Sequence, residues 1–356
     1  MSWGNMSRDR KIWLDVAKGL ALTLVVCNHI GVIPIYVQTY LQFYMPMFFI
    51  SSGYVYVHRK NFTEFVRRKL KRLIIPYFHY SFFLLLFDVV LVLKGHRENN
   101  IMQAMMGVLY GANSYTARPD GEVLFVIDNS PMWFLLALFN AYVVFWIEYA
   151  LVKRTERQRQ SLIILFCLNF IITKLFTNLS ILLPWSLDTV FMSVNFMWFG
   201  HWLNQKKRYL DNKNKFKSII TTWIAIGGGG SAYALMICIN GGMNYSTREW
   251  GKCLLIYWGC GILGTLIFYW ICMQLARFKW AHSLFEMCCT ASIPLLCIHM
   301  FLNGCLVWIF KKINFDLGVR YPVIRALGIG CICVGGTYMI NYIRKKKEIK
   351  VRKCQY

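Results

Sequence analysis

Apolar residues along this chain fall into blocks of about twenty, separated by short polar and basic segments. A helix needs about twenty apolar residues to cross the hydrocarbon layer of a bilayer. The pattern therefore predicts an all-α polytopic membrane protein with about ten transmembrane helices. Their expected bounds are about 13–34, 41–58, 73–93, 132–152, 161–174, 185–204, 218–239, 252–275, 288–310 and 323–343. The fifth block is short and contains Lys174.

Composition and charge support this interpretation and set the orientation. Hydrophobic residues make up 57% of the 356 residues, and the net charge of +24 comes from 40 Lys and Arg that cluster between the apolar blocks. With a cytoplasmic N-terminus, 29 of the 40 fall in cytoplasmic segments and 10 in outer ones. The positive-inside rule then predicts that both termini are cytoplasmic. We expect a multi-pass protein of the inner (plasma) membrane.

The same distribution argues against a nucleic-acid partner, because no soluble domain is predicted to present a basic surface. We expect one integral-membrane domain over 1–356, with a core at 10–343 and a basic cytoplasmic tail at 344–356. The longest outer connection, 94–131, has no evident secondary structure and either recognises an acceptor or crosses passively. The run "GGGG" at 227–230 predicts helix packing or a kink. The 13 cysteines lack zinc-ligand spacing, so no metal is expected.

The first apolar block, "LDVAKGLALTLVVCNHIGV" (14–32), carries Asp15, Lys18, Asn28 and His29. Ionisable groups inside a membrane are costly and usually mark a functional site. On a helix, Asp15, Lys18 and His29 share a sector of about 60°, and His29 lies about 21 Å from Asp15 along the axis. One interpretation pairs Asp15 with Lys18 and bonds His29 to a neighbouring helix. The other makes His29 a catalytic base at the end of a channel.

Six stretches, in order along the chain, resemble the acyltransferase-3 family, the membrane acyltransferases that include fucose O-acetylase-like proteins. They are "WLDVAKGLALTLVVCNH" (13–29), "FYMPMFFISSGYVY" (43–56), "FVRRKLKRLIIPYF" (65–78), "SPMWFLLALF" (130–139), "LPWSLDTVFMSVNFMWFGHWL" (183–203) and "ASIPLLCIHMFL" (291–302). Each stretch alone is a weak signal, whereas six in the right order over most of 10–305 are a strong one.

The resemblance implies that an acyl group, usually acetyl, moves from acyl-CoA to a hydroxyl of a surface or lipid-linked glycan sugar. It also implies that His29 is the catalytic residue, and we group Asp15 and Asn28 with it. Histidine suits the role of base because its unperturbed pKa lies near neutral pH. Asn28 and Ser52 are candidate donors to the oxyanion of the tetrahedral intermediate.

Acetyl-CoA carries phosphates, which need cations at the binding site. Arg68, Lys71 and Arg72 follow the second apolar block on the cytoplasmic side, and we add Lys18 to this donor-binding group. The same cluster also serves topology and lipid-headgroup binding. We expect four residues to contact the substrate: Trp133, Asp188, His299 and Ser52. The lipid bilayer, acyl-CoA and the glycan acceptor are the expected partners.

Two other classes of function remain open. A transporter of a lipid-linked sugar or small metabolite would use the intramembrane Asp, Lys and His as a substrate or proton path. Paired half-repeats with matching broken helices would support a transporter, and the sequence shows none. A membrane scaffold that binds anionic lipids through its basic loops would leave His29 unexplained.

Overall fold

The computed structural model describes residues 12–94, 101–111, 115–117, 123–126, 131–178, 183–206 and 219–353. Within these ranges the regular elements are helices, apart from a two-stranded antiparallel ribbon of β1 (Tyr115–Ala117) and β2 (Val123–Val126). The helices are Ile12–His29 (α1), Ile35–Gln38 (α2), Tyr44–Tyr54 (α3), Phe62–Lys69 (α4), Ile75–Leu93 (α5), Ile101–Tyr110 (α6), Trp133–Arg154 (α7), Gln158–Asn178 (α8), Val190–Gln205 (α9), Ile219–Asn240 (α10), Leu254–Leu275 (α11), Lys279–Thr290 (α12), Ser292–Lys312 (α13), Asp316–Arg320 (α14) and Pro322–Lys353 (α15).

Seven helical segments in the described part of the chain are long and apolar enough to cross a membrane. They are Ile12–His29, Phe62–Leu93, Trp133–Arg154, Gln158–Asn178, Leu254–Leu275, Ser292–Lys312 and Pro322–Ile343. The protein is therefore a multi-span helical membrane protein. The expected fifth span, short in the sequence pattern, is a full 21-residue helix, α8. Two other expected spans are shorter helices, with 11 residues in α3 and 16 in α9.

The chain divides into two units, and the first comprises Met1–Gln38 and Phe268–Tyr356. Here α1 lies so close to α12 that a β-carbon on Gly19 would overlap the carbonyl group of Phe285. A small residue at such a crossing is what lets two membrane helices approach this closely. Trp13 packs edge-on against Tyr269, with ring centroids 5.0 Å apart. Both contacts fix the N-terminal half of α1. Its C-terminal end contacts α13.

Arg325 of α15 joins the last three helices of this unit. Its Nε donates to the amide oxygen of Asn303 on α13 at 2.8 Å. Its Nη1 donates to the carbonyls of Gly318 and Val319 at the end of α14. The last carbonyls of a helix have no partner within the helix, so this guanidinium satisfies two of them. Arg325 thereby fixes α13, α14 and α15 to one another.

The second unit comprises Thr39–Ile267, and its core is built on α3, α7 and α9. The buried face of α3 carries "SSGY" at 51–54, and a β-carbon on Gly53 would overlap the carbonyl of Met197 on α9. In return, a β-carbon on Gly200 of α9 would overlap the carbonyl of Ile50. Small residues at this crossing therefore let the backbones of α3 and α9 approach closely.

The connection between α10 and α11 is anchored in the core of the second unit. Asn240, at the end of α10, donates to the carbonyl of Trp250 and accepts from the backbone N–H of Cys253, both at 2.8 Å. Tyr245 of this connection is 2% exposed and stacks on Phe49 of α3. Burial raises the pKa of the Tyr245 phenol far above its usual range, so the hydroxyl stays protonated.

Several sequence-based expectations for individual segments need correction. The connection 94–131 was expected to lack secondary structure, yet it contains α6 and the ribbon. Its acidic residues Asp120, Glu122 and Asp128 lie outside the described residues. At "GGGG" (227–230) the helix α10 is continuous, and β-carbons on three of these glycines would meet no described atom within 4 Å. At three of its four glycines, the run therefore makes no close helix contact in the described structure.

Two further differences concern the C-terminal part of the chain. The block expected at 288–310 is broken at Ala291, where α12 ends and α13 begins. Pro294 favours this break, because proline has no backbone N–H and is tolerated only in the first turn of a helix. The expected basic tail 344–356 continues α15 as helix to Lys353.

Candidate active site

His29 is the last residue of α1, and the residues that follow it explain why the helix ends there. Gly31 has a φ of +78°, a left-handed conformation that favours glycine. The backbone N–H of Val32 donates to the carbonyl of Cys27 at 2.9 Å, and that of Gly31 donates to the carbonyl of Asn28 at 3.3 Å. This pair of bonds is the Schellman arrangement, which closes a helix C-terminus. The sequence "CNHIG" therefore presents His29 in the final turn.

His299 is the eighth residue of α13 and is fully buried. Its Nδ1 lies 2.7 Å from the carbonyl oxygen of Leu295 and 3.2 Å from that of Leu296. Both carbonyls belong to the preceding turn of the same helix. The backbone of α13 therefore fixes the orientation of this imidazole.

The two histidines meet although 270 residues separate them in the sequence. Nε2 of His299 lies 3.1 Å from Nδ1 of His29, and the rings stack with centroids 5.1 Å apart. His29 is only partly buried, and its other ring nitrogen, Nε2, makes no hydrogen bond within the described part of the chain. The pair therefore leaves one imidazole nitrogen available for chemistry.

The position of His299 along α13 sets the depth of the pair. His299 is about 10 Å from the start of this helix and about 20 Å from its end, from the rise of 1.5 Å per residue. Since α13 is one of the segments long enough to span a membrane, the imidazoles lie within the spanning part of the protein. Polar side chains at such a depth in a membrane are costly and usually mark a functional site.

One of the two interpretations of the sequence paired the acid and the amine at the start of α1. The structure shows no ion pair between Asp15 and Lys18 among the described residues. The Sγ of Cys289 on α12 instead lies 3.8 Å from Oδ1 of Asp15. The close crossing at Gly19 explains this contact, because it brings α12 alongside the first turns of α1. Both Asp15 and Lys18 remain on α1, well separated from His29 by the length of the helix.

Asn28 precedes His29, and its amide oxygen is buried without a hydrogen-bond partner among the described residues. Buried polar atoms in proteins are nearly always satisfied, so an exception next to a candidate base is informative. Asn28 therefore places an amide with unused hydrogen-bonding capacity beside the histidine pair.

Three of the four predicted donor-binding cations, Arg68, Lys71 and Arg72, lie in the second unit, whereas Lys18 lies in the first. Lys71 and Arg72 are exposed in a π-helical turn, Leu70–Ile74, between α4 and α5. Pro76 accounts for this turn, because it has no N–H to donate to the carbonyl of Arg72. Such π-helical turns are often found at functional sites. Arg68 differs, since it forms an ion pair with Glu64 on the same helix at 2.6 Å.

The remaining predicted substrate residues, Ser52, Trp133 and Asp188, are all buried in the second unit. Trp133 begins α7 and stacks on Tyr245 with an angle of 19° between the ring planes. Oδ2 of Asp188 lies 3.2 Å from Nε of Arg248, which belongs to the same connection as Tyr245. The structure therefore brings Trp133 and Asp188 to one connecting segment. His299 lies in the first unit with His29.

Sequence inspection missed one buried carboxylate. Glu148 of α7 is 5% exposed and accepts a hydrogen bond from the indole Nε1 of Trp198 at 2.6 Å. Nearby on neighbouring helices, the amide of Asn169 donates to Oδ1 of Asn195 at 3.0 Å. An acidic residue inside the apolar sequence of α7 was the signal that could have drawn attention to it.

Comparison with known families decides the family of this chain. The family model for the acyltransferase domain of acyltransferase-3 proteins matches residues 11–342, nearly the whole chain. The chain belongs to the acyltransferase-3 family. This family membership and its apolar helices make it a multi-pass membrane acyltransferase. Neither a curated protein nor a solved structure matches it. The resemblance found in the sequence motifs is confirmed, and both histidines of this acyltransferase lie inside the matched residues.

Proposed function

We propose that this acyltransferase transfers an acyl group, most readily acetyl, from cytoplasmic acyl-CoA to a sugar hydroxyl of a surface or lipid-linked glycan. His29 serves as the base. The observation that carries the proposal is the free Nε2 of His29, within a spanning segment of a membrane acyltransferase. An imidazole that uses one nitrogen for orientation and keeps the other open has the form required of a general base.

The reaction balances with the protein's own groups and the two substrates. The sugar hydroxyl oxygen attacks the thioester carbonyl carbon while its proton passes to Nε2 of His29. Collapse of the tetrahedral adduct breaks the carbon–sulfur bond, and the departing CoA thiolate takes the proton from the imidazolium. The products are the sugar ester and free CoA. In the adduct, the side-chain amide N–H of Asn28, next to His29 at the end of α1, serves as the donor to the oxyanion.

The proposed topology places both termini in the cytoplasm and counts α3, α9 and α10 with the seven long segments to give ten crossings. The distribution of Lys and Arg supports it. In this orientation α1 carries His29 away from the cytoplasmic side, and the π-helical turn with Lys71 and Arg72 faces the compartment that contains acyl-CoA. The same orientation in an inner (plasma) membrane makes the glycan an extracytoplasmic or membrane-bound acceptor.

The activity can be tested with purified protein in nanodiscs. Radiolabelled acetyl-CoA and a lipid-linked oligosaccharide should yield labelled, base-labile ester on the sugar, identified by mass spectrometry. Label should remain on CoA in nanodiscs without protein. If the protein instead moves the sugar lipid across proteoliposomes without modifying it, the transporter alternative holds and the acyltransferase proposal fails for this substrate class.

Loss of the two exposed cations should weaken donor binding. The double variant Lys71→Gln/Arg72→Gln is expected to raise the KM for acyl-CoA by roughly 10-fold and to leave kcat within about twofold, since cations hold phosphates by charge-assisted hydrogen bonds. The measurement is initial rate against acyl-CoA concentration. Arg157→Gln/Arg159→Gln removes the same charge from the exposed segment before and at the start of α8 and should leave KM unchanged. An equal rise in both double variants would assign the effect to surface charge in general.

A further inference from the structure

The hydrogen bonds of His299 determine which of its nitrogens carries a proton. Its Nδ1 lies against the carbonyl oxygens of Leu295 and Leu296, and a carbonyl oxygen only accepts hydrogen bonds. Nδ1 of His299 must therefore be protonated. The carbonyl of Leu295 has two lone pairs, so it accepts this bond in addition to the helical N–H of His299 itself.

The tautomer of His299 in turn determines that of His29. A neutral imidazole protonated at Nδ1 has a lone pair at Nε2, so Nε2 of His299 is an acceptor. The contact of 3.1 Å with Nδ1 of His29 is then a hydrogen bond only if His29 donates it. Protonation of His29 at Nδ1 leaves the lone pair on its Nε2. That nitrogen is the one without a partner among the described residues.

We infer that His299 is the positioning residue for His29. A chain of two hydrogen bonds, from Nδ1 of His29 to His299 and from Nδ1 of His299 to the carbonyl of Leu295, orients the His29 ring and holds it in the tautomer whose Nε2 is basic. This inference rests on the proposed role of His29 as the base. It replaces the sequence-based expectation that His299 contacts the substrate.

Burial and geometry make His299 unsuited to act on the substrate itself. Its side chain is fully buried and both of its nitrogens are already hydrogen-bonded. His29 is the more exposed of the two and has the unbound nitrogen. The tautomer of a functional histidine is generally set by the hydrogen bond that its other nitrogen makes, and here a second imidazole provides that bond.

The test compares two replacements of His299. His299→Leu has about the same bulk but cannot accept from His29, so the ring loses its orientation and its preferred tautomer. Misplacement of a catalytic group by about 1 Å can cost on the order of 100-fold in rate. We expect kcat to fall by about 100-fold with the KM for acyl-CoA within about twofold. His299→Gln offers an amide oxygen to His29 and an amide N–H to Leu295, so it should retain kcat within about 10-fold of wild type.

Histidine-selective nitrogen NMR gives a readout that does not depend on activity. In the wild-type protein, the signals that disappear in His29→Ala should show a protonated Nδ1 and an unprotonated Nε2. In His299→Leu the opposite tautomer of His29 should become populated. A wild-type His29 protonated at Nε2 would overturn the inference, as would full kcat in His299→Leu or an inactive His299→Gln.

Different results would exclude the proposed role of His29 as the base and the positioning role of His299. If His29→Ala keeps its activity, His29 is not the base and the proposed function needs another residue. If His29→Ala is inactive while His299→Leu is fully active and has the wild-type tautomer, His29 remains the base and only the positioning role of His299 is excluded.

Discussion

His29→Gln is expected to reduce the rate of acyl transfer by roughly a thousandfold, because a positioned general base contributes about 10²–10⁴ in rate. Glutamine has nearly the reach of histidine, and its amide can still bond to Nε2 of His299. It has no basic nitrogen, so the sugar hydroxyl would have to attack without losing its proton to the protein. The KM for acyl-CoA should change little, since the proposed phosphate contacts are with Lys71 and Arg72 and not with His29.

The matched control for this variant is His282→Gln. His282 lies on α12 in the same unit, and its Nε2 is 3.3 Å from a carboxylate oxygen of Glu286 one turn later. A contact between such side chains on a partly exposed helix face contributes at most about 1 kcal/mol, so this replacement should leave both activity and stability close to wild type. Initial rates with labelled acetyl-CoA decide the comparison. A His29→Gln protein that keeps more than a tenth of the wild-type rate would exclude His29 as the base.

Many of the helices could be predicted from the sequence because most of the apolar blocks are long. Segments such as Gln158–Asn178 and Leu254–Leu275 lie within a few residues of their expected bounds. The expected helix bounds were wrong where a helix ends inside an apolar block or where a short element lies outside one. The apolar block at 288–310 is interrupted at Ala291, where one helix ends and the next begins. The connection 94–131 contains short elements whose apolar residues show no strong helical or strand periodicity.

The candidate site was only half predictable. The period of the helix placed His29 on a polar-ended face of α1, and the late-helix motif singled out His299, but nothing in the sequence shows that these side chains touch. Contacts between helices depend on which faces meet, and a hydropathy pattern does not encode partner choice. The contact of Asp15 with Cys289 was not predictable for the same reason, since it depends on the approach of α12 to α1.

Gly53→Ala should be strongly destabilising although it adds a single carbon. The new β-carbon would overlap the backbone carbonyl of Met197, and a backbone atom cannot move aside without shifting α9. Overpacking of this kind typically costs about 1–3 kcal/mol, more than the 0.5–1 kcal/mol that alanine gains over glycine as a helix former. The expected result is a lower melting temperature in detergent and less protein recovered as a monodisperse peak.

Gly200→Ala repeats the test from the opposite helix, because its β-carbon would overlap the carbonyl of Ile50. Once one substitution has forced α3 and α9 apart, the second finds the space already opened, so the double variant should lose less stability than the sum of the two. Gly227→Ala is the matched control: its β-carbon would meet no described atom within 4 Å. That variant should be as stable as wild type or slightly more stable. A Gly53→Ala protein that melts with the Gly227→Ala control would show that α3 and α9 are not packed backbone to backbone.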